Sequence, residues 1–97
     1  MQKGADVQTT MTKHATVRQQ QRGIPPLMID LLFNFGSSEP AGNGSFLLFF
    51  DKPAKRRLES YAGRLAKVFQ EHLNVYVVVA NETVITTGHR YDHIRRH

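Results

Sequence analysis

The stretch Val75-Tyr-Val-Val-Val-Ala-Asn-Glu-Thr-Val-Ile-Thr-Thr-Gly-His-Arg-Tyr-Asp-His-Ile-Arg-Arg96 decides the fold predicted for this chain. Residues 74–80 are rich in β-branched side chains, which favour a strand. Asn81 and Glu82 stand where a two-residue hairpin turn is expected, although the usual glycine is missing and the turn type stays open. Residues 83–88 predict the returning strand, and residues 89–96 extend it or add a last strand. The C-terminal part is therefore predicted to be an antiparallel β-meander.

Two helices are predicted before this meander. Thr12 can cap a helix over residues 13–22, and Gly23 ends it. Pro25 favours the start of a second helix over residues 25–35. Apolar residues spaced three and four apart predict that this second helix buries one face. The residues of that face are Leu27, Met28, Leu31, Leu32 and Phe35.

The middle of the chain predicts a loop, a strand and a long helix. Ser, Pro, Gly and Asn dominate residues 37–45, which is typical of a loop. The apolar run 46–50 predicts a buried strand, and Asp51 and Pro53 open a helix over residues 53–73. If this helix is a crossover, strands 46–50 and 75–80 are parallel. Its predicted buried face consists of Leu58, Tyr61, Ala62, Leu65, Val68 and Phe69.

These elements predict one small α+β domain. The chain has 97 residues, which suits a single domain. Residues 1–11 show no periodicity and predict a flexible N-terminal tail. Residues 12–97 are expected to pack as two N-terminal helices, one short strand, a long amphipathic helix and the C-terminal meander.

Composition excludes several classes of site. The absence of cysteine excludes disulfides, thiolate metal sites and cysteine nucleophiles. The chain has no glycine-rich nucleotide-binding motif and no His-Glu-x-x-His, so no cofactor is expected. No apolar run approaches the ~18 residues of a membrane helix, and no secretory signal is visible. The sequence therefore predicts a cytoplasmic protein without a membrane partner.

The charge favours an anionic partner. Lys and Arg number 13 against 8 Asp and Glu, so the net charge is +5 with neutral His. Most of the positive residues are Arg, whose planar fork matches phosphate. RNA or DNA is therefore a candidate partner, although such a charge also serves solubility alone.

Two segments hold residue types suited to phosphate chemistry. His14, Arg18 and Arg22 are spaced four apart and share one face of the first predicted helix, either to bind phosphate or as a solvated polar face. In an extended strand, His89 shares a face with Tyr91, His93 and Arg95, whereas Arg90 and Arg96 alternate with them. Imidazoles beside arginine are the groups that metal-independent RNA cleavage uses.

Two further hypotheses receive less weight. His89, His93 and His97 are spaced four apart, but no carboxylate joins them, and no metal site is predicted. Aromatic side chains in the strands are either platforms for stacking bases or core residues, and their apolar surroundings favour the core. These aromatic residues are Phe46, Phe49, Phe50 and Tyr76.

The blocks His14-Ala-x-x-Arg18-x-x-x-Arg22-Gly-Ile24 and Val84-Ile-Thr-Thr-Gly-His-Arg90 resemble small bacterial proteins near the RelE/ParE toxin superfamily, within the barnase, colicin and RelE-like nuclease group. The resemblance implies an α+β domain with helices on an antiparallel sheet, RNA cleavage on the sheet, and an antitoxin as a protein partner. It implies His14, Arg18, His89 and Arg90 as catalytic residues.

The sequence thus predicts a nucleic-acid-associated protein and leaves three hypotheses open. They are a toxin-like ribonuclease, a non-catalytic RNA- or DNA-binding module, and a protein-interaction domain that forms homo-oligomers. The predicted nucleic-acid-binding residues are Arg22, Arg56, Arg57, Tyr91, His93, Arg95 and Arg96.

Overall fold

The computed structural model describes residues 10–90 and confirms an α+β domain. Five strands form one sheet in the order β1-β5-β4-β3-β2, and the helices pack on one of its faces. The elements are β1 (Thr10–Met11), α1 (Lys13–Gln21), α2 (Pro26–Phe35), β2 (Ser37–Gly42), β3 (Ser45–Phe49), α3 (Lys52–Ala62), a 3₁₀ helix (Gly63–His72), β4 (Val75–Ala80) and β5 (Thr83–His89).

Local signals in the sequence placed the first two helices and the last hairpin correctly. The hydroxyl oxygen of Thr12 accepts a hydrogen bond from the Ala15 N–H at 3.1 Å and caps α1. A proline occupies the first turn of α2. Asn81 and Glu82 have φ angles of 53° and 63°, and positive φ at both central residues is the signature of a type I′ turn.

The core lies between α1, α2 and α3 and one face of the sheet. Met28, Ile29 and Leu32 of α2 are buried against Leu58 of α3 and Val77 of β4. The predicted buried face of α2 was therefore nearly right. Its errors are Leu27, which is 49% exposed, and Ile29, which is buried although it was left out.

Residues 37–45 were wrongly predicted as a loop. Residues Ser37–Gly42 form the edge strand β2, which pairs antiparallel with β3. An edge strand tolerates Pro40 because a residue there need not donate to a neighbouring strand. The turn-forming composition of these residues reflects the exposure of the strand, and it gives no indication that the strand pairs with β3.

The predicted parallel pairing of residues 46–50 with residues 75–80 is also wrong. β3 and β4 are antiparallel neighbours, and Phe49 at the end of β3 pairs with Tyr76 near the start of β4. The segment between them must therefore leave and re-enter the sheet at the same end. A straight helix of 21 residues would span about 30 Å and end far from that point.

The chain returns because the predicted long helix is broken at Gly63. The α-helix ends at Ala62, and residues Gly63–His72 continue as a 3₁₀ helix. Gly63 has φ 58° and ψ −130°, a backbone conformation that residues with a side chain rarely adopt. The predicted apolar face splits at the same time, since Leu58 is buried whereas Tyr61, Leu65 and Val68 are exposed.

The first described residues join the sheet. Residues 1–9 of the predicted tail lie outside the described part, and Thr10 and Met11 form β1, which pairs parallel with Thr83 and Val84 of β5. None of the helices within residues 10–90 has the length and apolar character required to cross a membrane.

Replacing Gly63 with alanine tests the importance of the break. We expect Gly63→Ala to lower the free energy of unfolding by about 1–3 kcal/mol, because a residue with a side chain is strained at this positive φ. No atom lies within 4 Å of the added methyl group, so a steric clash does not contribute to the loss. Urea unfolding followed by circular dichroism measures the loss. Ser60→Ala, on the exposed side of α3, is the control and should change stability by less than about 0.5 kcal/mol. Equal stability of Gly63→Ala and the wild type would show that the break needs no glycine.

Candidate functional site

Helix α1 lies along β5 and separates two of the predicted catalytic residues. The Thr12 N–H donates to the Val84 carbonyl at 2.9 Å, which fixes the start of α1 beside the start of β5. Arg22, just after α1, lies close enough to His89 at the end of β5 to shift its pKa. His14 and Arg22 are eight residues apart, a rise of about 12 Å along a helix. His14 lies exposed at the start of α1, far from His89, and the structure does not bring these two imidazoles together.

Arg22, His72 and His89 approach each other where α1, the 3₁₀ helix and β5 end, and Arg18 precedes Arg22 by one helical turn; we call these four residues the basic cluster. Burial lowers the pKa of His89 below its ordinary value, and the positive charges of Arg22 and His72 lower it further. The Nε of Arg18 is buried without a hydrogen-bond partner in the described structure. The cluster thus concentrates positive charge that an anion would neutralise.

His72 was not among the residues predicted from the sequence. It ends the 3₁₀ helix two residues before Asn74, whose carbonyl accepts a hydrogen bond from the Arg90 N–H. That contact holds the start of β4 beside the end of β5 and brings His72 near His89. Little in the sequence indicates that His72 and His89 lie near each other, because they are 17 residues apart in the chain. Only the pairing of β4 with β5 brings them close.

The other face of the sheet, which we call the open face, carries aromatic side chains. Phe49 pairs with Tyr76, which pairs with Gly88, so the three residues lie in one row across β3, β4 and β5. Within residues 10–90, Phe49 and Tyr76 are half-buried and do not belong to the helix-packed core. Of the four aromatic residues expected in the core, only Phe50 is there.

Arg90 stacks on this open face. Its guanidinium carbon lies 4.4 Å from the centroid of the Phe49 ring, within the range of a cation–π contact. The Tyr76 ring lies flat against Gly88, where an added Cβ would come within 3.0–3.1 Å of the ring atoms. Tyr76, Phe49 and Arg90 therefore lie on the same side of the sheet, and we call these three residues the aromatic face; aromatic rings and guanidinium planes can stack with nucleic-acid bases.

A pocket of about 410 Å³ adjoins the aromatic face at the end of the sheet. Phe49, Arg90, Asp51 and Lys55 are among its lining residues. The Asp51 carboxylate accepts hydrogen bonds from the Ser37 hydroxyl at 2.7 Å and the Ala54 N–H at 3.0 Å. The Ser37 bond and then the Ala54 bond lower the pKa of Asp51. Asp51 is thus held ionised as the cap of α3, and Lys55 and Arg90 give the pocket its positive charge.

The remaining predicted residues have different environments. Arg57 donates to the Phe35 carbonyl at 3.1 and 2.9 Å and to the Ser37 hydroxyl at 3.2 Å, so its guanidinium connects α3 to the end of α2. Arg56 is exposed on α3. His89 faces the core side of the sheet, as does its partner Val75, and Arg90 lies over the open face. The predicted residues Tyr91, His93, Arg95 and Arg96 lie outside the described residues.

In the described part of the chain, no group of three or more His, Asp or Glu side chains is arranged to hold a metal ion. Comparison with protein families, with curated proteins and with solved structures found no match for this chain. The resemblance to the RelE/ParE superfamily therefore stays a prediction, and the functional argument depends on the site itself.

The position of His89 predicts a pH dependence of stability. Its pKa is about 6.5 in an unfolded chain and lower in the folded protein, so the unfolded state binds more protons between these two values. The contribution of His89 to stability is fully present above about pH 6.5 and is lost as the pH falls through the folded pKa.

Urea unfolding at about pH 7.5 and about pH 5 measures this effect. We expect the free energy of unfolding of the wild type to fall more over that interval than that of His89→Gln. His14→Gln, which removes an exposed imidazole, serves as the matched control and should follow the wild type. An equal fall in the wild type and His89→Gln would contradict the perturbed environment of His89.

Proposed function

We propose that the protein binds single-stranded nucleic acid across the end of β5. The observation that carries the proposal is the Arg90 guanidinium stacked over Phe49 beside Tyr76, on a sheet face outside the helix-packed core. Exposed aromatic rings and guanidinium planes accept bases of any sequence, because every base has a flat π surface. A base that stacks on this surface must be unpaired, which favours a single strand over a duplex.

The basic cluster supplies the complementary contacts to the backbone. His89 and Arg90 are consecutive, and one lies on each side of the sheet. In this proposal the bases contact the aromatic face, and the phosphates lie towards Arg22 and Arg18 on the other side of the sheet. Arginine suits this role because its donors match two phosphate oxygens. The net charge of +5 attracts such a ligand from a distance.

The lining of the pocket agrees with this arrangement. Lys55 and Arg90 border it, and the Asp51 carboxylate is already engaged by two hydrogen bonds within the protein. A base or sugar next to the stacked bases would therefore meet Lys55 and Arg90 in this pocket, beside a carboxylate whose Oδ1 is already hydrogen-bonded. The proposal keeps the cytoplasmic location that is predicted from the sequence.

Replacing Arg90 tests the stacking surface. We expect Arg90→Ala to weaken binding of a fluorescently labelled, unstructured oligonucleotide by about 5- to 100-fold, the loss typical of one stacking contact. Fluorescence anisotropy at fixed salt measures the dissociation constant. Arg56→Ala removes the same charge from an exposed position on α3 and is the matched control, with a loss of about twofold from long-range attraction alone.

Two further results define this test. Arg22→Ala should weaken binding and lower the slope of log K against log salt by about one, as expected for one lost phosphate contact. Equal losses in Arg90→Ala and Arg56→Ala would show that binding depends on total charge and does not use the aromatic face.

A metal-independent ribonuclease is the second candidate, and the pairing of His72 with His89 beside Arg22 favours it. Cleavage of this type needs a neutral imidazole to take the proton of the 2′-hydroxyl and a protonated imidazole to donate a proton to the leaving 5′ oxygen. An arginine stabilises the charge on the phosphorane. The lowered pKa of His89 suits it as the base, which leaves His72 as the acid. The antitoxin implied by the RelE/ParE resemblance belongs to this candidate.

The ribonuclease candidate predicts cleavage of RNA, but not of DNA, in the presence of a metal chelator. We expect His89→Gln and His72→Gln each to lower the cleavage rate by about 100-fold or more, whereas His14→Gln leaves it unchanged. Electrophoresis of a labelled RNA measures the rate. Binding of RNA by the folded wild type without any cleavage would reject the ribonuclease and leave the binding function.

A further inference from the structure

An exposed row of apolar side chains lies on the side of the protein away from the aromatic face. Tyr61, Leu65 and Val68 are 74%, 63% and 62% exposed, although residues of this size are usually covered. We call these three residues the apolar ridge. The side chains that attach the same segment to the core are different ones: Leu58 and Ala66 are buried, and Phe69 is partly buried. Leu65 and Val68 therefore lie outside the buried core, whereas the Tyr61 ring also contacts Phe35.

The 3₁₀ geometry aligns the apolar ridge with a row of positive charge. A 3₁₀ helix has three residues per turn, so every third side chain lies in the same row. Leu65 and Val68 form one row, Arg64 and Lys67 form the next, and Ala66 and Phe69 form the row that faces the protein. Tyr61 is exposed near the end of α3, before the break at Gly63, and its ring centroid lies 4.8 Å from that of Phe35.

The charge of this segment limits what can cover the apolar ridge. Residues 52–72 contain six Lys or Arg and two Glu, which leaves a net charge of +4. A second copy of the chain would bring two such segments together and is disfavoured by their repulsion. The occupant must therefore be negatively charged next to an apolar layer.

We propose that α3 and the 3₁₀ helix dock the protein on an anionic lipid surface. The apolar ridge enters the boundary between headgroups and acyl chains, and Arg64 and Lys67 contact the lipid phosphates. An amphipathic helix with aromatic and aliphatic residues beside a row of Lys and Arg binds membranes in this way, in the plane of the interface. Because α3 packs on the helix side of the sheet, the docked protein keeps its aromatic face free, and this function is separate from nucleic-acid binding.

Flotation with lipid vesicles tests the proposal on the full chain. One set of vesicles contains phosphatidylcholine alone, and the other contains equal parts of phosphatidylcholine and phosphatidylglycerol. We expect the wild type to float with the anionic set only. The double variant Leu65→Ser/Val68→Ser keeps every charge, and we expect its partition to fall by about tenfold or more, because two apolar side chains no longer enter the lipid.

Three controls make each outcome decisive. Val17→Ser removes an exposed apolar residue of α1 and should float as the wild type does. Arg64→Glu/Lys67→Glu keeps the apolar ridge and should lose the preference for anionic vesicles. Circular dichroism and oligonucleotide binding by the Leu65→Ser/Val68→Ser variant establish that the domain is folded.

Two results would overturn the proposal. The first is flotation of the folded Leu65→Ser/Val68→Ser variant at the wild-type level, which would assign any binding to charge alone. The second is a wild type that floats with neither set of vesicles. In that case an acidic amphipathic helix of another protein would become the better occupant of the apolar ridge.

Discussion

The backbone at Gly63 is the constraint on which the rest of this fold depends. β3 ends and β4 begins at the same end of the sheet, where Phe49 pairs with Tyr76, so the 25 residues between Phe49 and Val75 must return to where they left. A positive φ at Gly63 changes the direction of the chain between α3 and the 3₁₀ helix. This return keeps β3 and β4 antiparallel and keeps α3 on the face that α1 and α2 already cover.

The open face follows from that arrangement. With the described helices on one side, the alternation of side chains along β3, β4 and β5 sends Phe49 and Tyr76 to the other side. The same alternation at the end of β5 sends His89 towards α1 and Arg90 over Phe49. The basic cluster, which suits phosphate, and the aromatic face, which suits bases, therefore meet at the consecutive residues His89 and Arg90.

Features set by neighbouring residues could be predicted from the sequence, and features set by distant partners could not. Three local signals each led to a correctly predicted element, because each acts within a few residues of the chain. They are the Thr12 cap of α1, the proline in the first turn of α2 and the Asn81-Glu82 turn between β4 and β5. The strand Ser37–Gly42 exists because β3 pairs with it, and its own composition indicates a loop. The aromatic face and the approach of His72 to His89 depend on strand order, which no local pattern contains.

The energetics of the basic cluster connect the fold to a ligand. Partial burial and the nearby positive charges of Arg22 and His72 both disfavour the protonated form of His89 in the folded state. A bound phosphate relieves that repulsion and raises the pKa of His89, so ligand binding and protonation reinforce each other. A ligand that binds only the folded state also stabilises it by mass action.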